Sequence, residues 1–173
     1  MKLIILKENA NHEKRVAITP RIVEKLKRLK IDVYVEKDIG KTIHVSDKEY
    51  EQSGAIISSD RKALLQMADI LWQINPLCED EINYIKKDCL FFSMIDPFSQ
   101  KDLIEKLKQK QFHCFSLVML PRSTIAQKMD ALSSQANLAG YASVIIAANH
   151  FSKILPMMTT PAGTITPSNV FVI

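Results

Sequence analysis

Short β-branched runs alternate with helix-periodic segments along the first two thirds of the chain, and this alternation restricts the fold more than any other feature. Residues 2–6, 32–36, 55–58, 69–73, 90–95 and 112–117 read as strands, and residues 20–29, 47–52, 61–67, 79–87 and 101–110 read as helices. A strand, then a helix, then another strand favours parallel pairing, because the crossover supplies the helix that covers the sheet. The expected fold class is α/β, a largely parallel sheet flanked by helices. Local signals mark the helix starts. Thr19 is placed to cap the first helix, Pro20 takes its first position, and Ile22, Val23, Leu26 and Leu29 form its apolar stripe. Ser46 followed by Glu49 has capping-box spacing for the next helix.

Beyond residue 117 the pattern changes. After the turn at Pro121, one long helix is expected from about 124 to about 151, free of proline and carrying Gly140 inside it. An interior glycine costs about 1 kcal/mol against alanine, so close packing is expected there. The polar residues Gln127, Asp130, Ser133, Ser134 and Asn137 recur every three or four positions. At ~100° per residue they would fall within roughly a third of one helix circumference. Flanked by alanines and a glycine, such a stripe suits a face pressed against something polar and closely fitted. After Pro156 the chain is turn-rich, and residues 169–173 look like the first half of a strand.

Composition narrows the function classes. With 173 residues, 47% of them hydrophobic, the chain can build one good core and part of another. The net charge of +4 comes from lysines dispersed along helical segments rather than from a block, so no nucleic-acid partner is expected. Cys78, Cys89 and Cys114 are odd in number and widely spaced, which predicts buried free thiols in a reducing compartment. His12, His44, His113 and His150 stand apart from cysteines and carboxylates, and no metal site is expected. Trp72, in a strand, is expected in the core. No signal peptide and no run of about 20 apolar residues is visible.

Several stretches carry a resemblance to a known family. They are Glu13-Lys14-Arg15-Val16-Ala17-Ile18-Thr19-Pro20, Asp47-Lys48-Glu49-Tyr50, the 121–141 block, and Thr159-Thr160-Pro161-Ala162-Gly163-Thr164-Ile165-Thr166-Pro167. The chain resembles the NAD(H)-binding component, the alpha subunit, of proton-translocating NAD(P) transhydrogenase. Alanine dehydrogenase is the neighbouring relative and shares the two-domain fold. The resemblance covers essentially the whole chain, with residues 130–141 its most specific part. It implies a Rossmann-like first α/β domain over 1–120, incomplete here. It further implies a nicotinamide-facing loop and long interdomain helix over 121–155, then a linker and the first strand of a missing nucleotide-binding domain over 156–173.

The resemblance also implies an activity: hydride transfer from NADH to NADP, coupled to proton movement across a membrane. NAD(H) would be this component's cofactor, with NADP(H) on a partner domain. The implied partners are NADP-binding and membrane-spanning subunits and a second copy in a homodimer. The implied location is cytoplasmic, peripheral to the inner (plasma) membrane through those partners. Transfer between two nicotinamides needs rings held in contact and kept dry, so no catalytic acid or base is assigned. Arg122, Ser123, Thr124, Gln127, Asp130 and Ser133 match the cofactor-facing positions. Gln127 would contact the nicotinamide, Arg122 and Asp130 would pair to fix the loop, and Ser133 would add a hydrogen bond.

Four departures qualify the match. No pair of the four glycines has Gly-x-Gly-x-x-Gly spacing, so the cradle for a pyrophosphate is missing and an incomplete subunit, inactive alone, is expected. The alternative is a non-catalytic remnant or assembly module. Ile125 stands where many family members carry a second arginine. In alanine dehydrogenases the arginine matching Arg15 binds the substrate carboxylate, helped by a lysine and a histidine. Ile74 and Asp96 occupy those two places. An uncharged side chain and a repelling carboxylate argue against an amino-acid dehydrogenase and leave Arg15 a structural role.

Overall fold

The structure is a computed structural model that describes residues 1–172. The chain divides into two compact units, Met1–Met129 and the segment from Asp130 onward. The first unit contains strands β1 (Lys2–Ile5), β2 (Asp32–Glu36), β3 (Ile56–Ser58), β4 (Ile70–Trp72), β5 (Leu90–Ser93) and β6 (His113–Ser116). They form one sheet in the order β3-β2-β1-β4-β5-β6, with every neighbouring pair parallel. Helices α1 (Pro20–Arg28), α2 (Asp47–Gln52), α3 (Arg61–Met67), α4 (Glu79–Ile82) and α5 (Lys101–Gln109) make the crossovers. The fold class is as expected, a Rossmann-like α/β sheet. Its order reverses between β1 and β4, where sheets of this kind open a crevice at the carboxyl ends of their strands.

Strand alternation sorts the core into two clusters. Ile4, Leu6, Leu71 and Phe91 pack with Leu64, Leu65 and Leu107, whereas Leu3, Ile5, Val33 and Val35 pack with Val23 and Tyr50. Trp72, Phe92 and Phe115 stand in register across β4, β5 and β6, with ring centroids 6.3 and 4.9 Å apart. Trp72, expected in the core, is half-buried and packs against the second cluster, while Phe115, on the edge strand, is half exposed.

The helix starts fall where the capping residues put them. Thr19 is the N-cap of α1 with Pro20 first in the helix, although the Thr19 side chain makes no capping bond. Glu49 accepts from the Ser46 N–H at 2.8 Å, closing the expected reciprocal contact at α2. Two expectations are corrected. Leu29 is largely exposed, because α1 ends one residue before it. Helix α4 ends at Ile82 rather than near 87; bonds from Tyr84 N–H to Glu81 and from Ile85 N–H to Ile82 tighten the chain into three-residue turns. That tightening keeps both Ile82 and Ile85 in the core.

Gly40 is a glycine whose missing side chain leaves room for a neighbouring backbone carbonyl. A Cβ there would lie 2.4 Å from the Val45 carbonyl oxygen and 3.0 Å from the Tyr50 ring. Gly40→Ala is expected to cost roughly 1–2 kcal/mol, the usual scale for overpacking a tight site. Urea melts of the two proteins would show it as a lower midpoint at unchanged slope.

The second unit contains α6 (Ala131–His150) and an antiparallel hairpin of β7 (Met158–Thr160) and β8 (Gly163–Ile165). The turn-rich segment therefore holds two short strands, with Gly163 at φ +128 closing the turn. The long helix begins at 131 rather than 124. Asp130 caps it, and a separate 3-10 helix, Ala126–Met129, precedes it. Gly140 has nothing within 4 Å of its built Cβ, so the close packing expected there is absent. Residues 169–172 belong to no strand, and Ile173 of that expected strand lies outside the described residues. Only Cys89 is a buried thiol. Cys78 precedes α4 and Cys114 sits on the edge strand, and both are exposed. Among the described residues, no helix is long and apolar enough to cross a membrane.

Candidate functional site

The expected cofactor-facing residues fall in both units. In the first unit, Ser123 organises the turn after Pro121. Its N–H donates to the Pro121 carbonyl at 2.9 Å, its carbonyl accepts from Gln127 N–H at 2.9 Å, and its hydroxyl accepts from Ala126 N–H at 3.3 Å. Buried Ala126 anchors the short helix, and Arg122, Ser123, Thr124 and Gln127 are exposed around it. Gln127 thus presents an uncharged amide from a turn fixed at both ends. Ile125, the position where the resemblance led to the expectation of a second arginine, is also exposed and offers no charge.

In the second unit, Asp130 caps α6. One carboxylate oxygen accepts from Ser133 N–H at 2.9 Å and the other from the Ser133 hydroxyl at 2.6 Å, while the Ser134 hydroxyl donates to the Asp130 carbonyl at 2.9 Å. A carboxylate at this end also meets the positive pole of α6. Ser133, Ser134 and Asn137 share the helix, whereas Gln127 and Asp130 precede it, so the single five-residue stripe is corrected to a capped helix start and a separate amide-bearing turn. Helix α6 contains no Asp, Glu, Lys or Arg, and none of its residues is buried. Sequence spacing missed the break because it looked for proline as the breaker, while a capping aspartate sets the start.

Elsewhere several charged side chains near the carboxyl ends of the strands are engaged by the chain's own contacts. Glu8, after β1, accepts from the N–H of Ile74 at 2.7 Å and from the N–H and amide of Asn75 at 3.4 and 3.1 Å, bridging β1 and β4 at the point of reversal. Arg15 donates from Nε to one oxygen of Glu13 at 2.8 Å and from Nη2 to the other at 2.6 Å. The guanidinium beside it holds the Glu13 carboxyl below the usual carboxylate range, and Arg15 is raised in turn. Asp96 accepts from Phe98 N–H and the Ser99 hydroxyl, which lower its pKa; it shapes the loop before α5.

The acid at the end of β2, which in dinucleotide-binding sheets holds a ribose, is Glu36. It is engaged by Arg61 at 2.5 Å and by Lys7 N–H at 2.8 Å. The loop between β1 and α1 contains no glycine. This sheet therefore has the order of a dinucleotide-binding fold without its pyrophosphate cradle. Neither the Glu8 bridge nor the Arg61 clasp was visible from sequence, because their partners lie 20 to 67 residues away.

Comparison with known proteins follows the same lines. The profile described as "Alanine dehydrogenase/PNT, N-terminal domain" matches residues 4–139. The first segment of NAD(P) transhydrogenase subunit alpha from Rhodospirillum rubrum is 36% identical over 177 residues, covering 99% of this chain and 46% of the relative. A solved transhydrogenase from Sinorhizobium meliloti superposes with a TM-score of 0.89 at 36% identity, over 96% of this chain and 50% of that one. A solved L-alanine dehydrogenase superposes with a TM-score of 0.76 at 25% identity, over 86% of this chain and 40% of that one. The chain thus spans about half the length of the proteins it matches. With the match running from within β1 through all six strands of the sheet and into α6, the chain belongs to the alanine dehydrogenase/PNT family.

Proposed function

We propose that the chain is the NAD(H)-side component of a proton-translocating NAD(P) transhydrogenase, with hydride passing from NADH to NADP held on a partner domain. The observation that carries this reading is the fixed, uncharged amide of Gln127 beside exposed Arg122, Ser123 and Thr124, in a chain 36% identical to a transhydrogenase alpha subunit. NAD(H) supplies the hydride. The protein's role is to orient a carboxamide with groups that do not titrate, and to exclude water around it. Gln127 would contact the carboxamide, Arg122 and Asp130 would serve to fix the loop, and Ser133 would add a hydrogen bond. Their effect is positional, so no acid or base is assigned. The division of the chain at 120 and 155 belongs to this proposal. So do the NADP-binding and membrane-spanning partner subunits, a homodimer of the NAD component, and a cytoplasmic position at the inner membrane.

The isolated chain is expected to bind NADH weakly or undetectably, because the anchoring of a dinucleotide rests largely on a glycine-rich pyrophosphate turn that the described residues lack. Titration followed by nicotinamide fluorescence checks this, and micromolar affinity would contradict it. Reconstituted with its partner subunits and with an NAD-binding domain supplied, Gln127→Ala is expected to slow hydride transfer about tenfold to a hundredfold through lost orientation, at little cost in stability since the side chain is exposed. A second reading is a non-catalytic assembly module, supported by the absent cradle. It predicts no transfer in the reconstituted complex, with the partner subunits still captured.

A further inference from the structure

The mouth between β1 and β2 holds a cavity of about 380 Å³ that the transhydrogenase reading does not use. Lys7, Glu8, Glu13, Arg15, Asp38 and Lys41 are its charged lining. Glu13 and Arg15 neutralise each other, and Glu8 is turned to the amides of Ile74 and Asn75. Glu8 keeps its charge, and the groups left without a partner are two ammonium groups and one carboxylate. The side chains of Lys7, Lys41 and Asp38 make no hydrogen bond or ion pair among the described residues. The wall carrying Asp38 and Lys41 is rigid. Asp38 N–H donates to Asp47 at 3.0 Å, Val45 N–H donates to the Gly40 carbonyl at 3.0 Å, and the Tyr50 ring lies directly behind Gly40. The backbone end of Lys7 is equally fixed, its carbonyl accepting from Arg61 at 3.1 Å.

This position has a chemical meaning in a sheet of this order. Phosphate groups bind after the first strand and ribose hydroxyls at an acid after the second. Here Glu36 is occupied by Arg61, and Asp38, two residues on, is the next acid; side-chain cations stand where a glycine turn would offer amides. A diester buried along the chain would need those amides. A terminal phosphate carries more charge and can be reached by flexible lysines from two sides. We propose that the cavity is a site for a nucleoside monophosphate, with Lys7 and Lys41 on the phosphate and Asp38 on the ribose hydroxyls. A volume of this size is within the range that holds small ligands.

Calorimetric titration of the full chain at low ionic strength, where such contacts are screened least, tests it with AMP, adenosine and inorganic phosphate. AMP is expected to bind at least about tenfold more tightly than adenosine or phosphate alone, and a Lys7→Ala/Lys41→Ala variant to lose about tenfold in AMP affinity. Both lysines are exposed, so the variant should melt as the wild type does. Asp38→Asn is expected to weaken AMP severalfold while leaving inorganic phosphate unchanged. AMP binding no better than adenosine or phosphate, or undiminished in the double lysine variant, would overturn the assignment. NADH lacks a terminal phosphate, so its titration reports separately on the transhydrogenase reading.

Discussion

Arg61→Met is expected to lower the unfolding free energy by about 3 kcal/mol, because one guanidinium holds two carboxylates and a carbonyl that have no comparable substitute. Nε donates to Glu81 at 2.5 Å, and Nη1 donates to Glu36 at 2.5 Å and to the Lys7 carbonyl at 3.1 Å. The two glutamate side chains are only 13% and 20% exposed. Methionine retains the packing of the aliphatic stem, so the loss reports the charge and its hydrogen bonds. It also leaves two acids facing each other in a partly dry site. The guanidinium itself is a third exposed, which keeps the figure at the lower end for broken buried pairs. Urea denaturation at neutral pH measures it. Arg61→Lys should fall between wild type and methionine, since an ammonium cannot present the planar fork. Adding Glu36→Gln and Glu81→Gln to the methionine variant should recover some of the loss. A methionine variant within about 0.5 kcal/mol of wild type would mean the clasp is solvated and idle.

The same clasp shows why some of this molecule could be read from its residues and some could not. Helices α2 and α3 are bounded as expected because the signals are local: Ser46 with Glu49 in one, Asp60 accepting from Ala63 N–H at 2.9 Å in the other. Strand β2 is bounded as expected because Val33 and Val35 alternate with half-buried neighbours. Arg61 gave no such signal, since its partners come from three separate segments that only the folded sheet brings together. Helix α6 was misplaced for a different reason. Its composition carries no apolar stripe to fix a phase, and its true start depends on one side chain, Asp130, turning back on Ser133. Cys114 was expected to be buried because its neighbours are apolar; it is exposed because β6 is an edge strand, a fact of topology rather than of pattern. The local turn that fixes Gln127 is likewise made by Ser123, two atoms of which accept from the next turn, and a short 3-10 helix has too few residues to show a period.

The fold should lose about 5 kcal/mol between pH 9 and pH 12 through two buried acids that resist ionisation. Tyr50 has no exposed surface, and its hydroxyl donates to the Ile18 carbonyl at 2.9 Å; burial pushes its pKa from 10.0 up to about 12. Cys89, in the other cluster, is equally inaccessible, and burial pushes its thiol from 9.0 up to about 11. Each raised value means that the native state keeps a proton the unfolded chain has already released. Unfolding then liberates a proton, and stability falls by about 1.4 kcal/mol per pH unit for each group within its own window. For Cys89 the window runs from 9 to 11 and for Tyr50 from 10 to 12, so the decline is steepest where they overlap. Below pH 9 neither group contributes any pH dependence. Urea melts at half-unit intervals from pH 8 to 12 give the curve. Tyr50→Phe and Cys89→Ala together should cost stability at neutral pH yet make the alkaline arm clearly shallower than that of the wild type. Parallel curves for wild type and the double variant would place the alkaline transition on the surface instead. A flattened curve would show that each of the two core clusters, one on each face of the sheet, is stabilised by a proton that its buried acid retains.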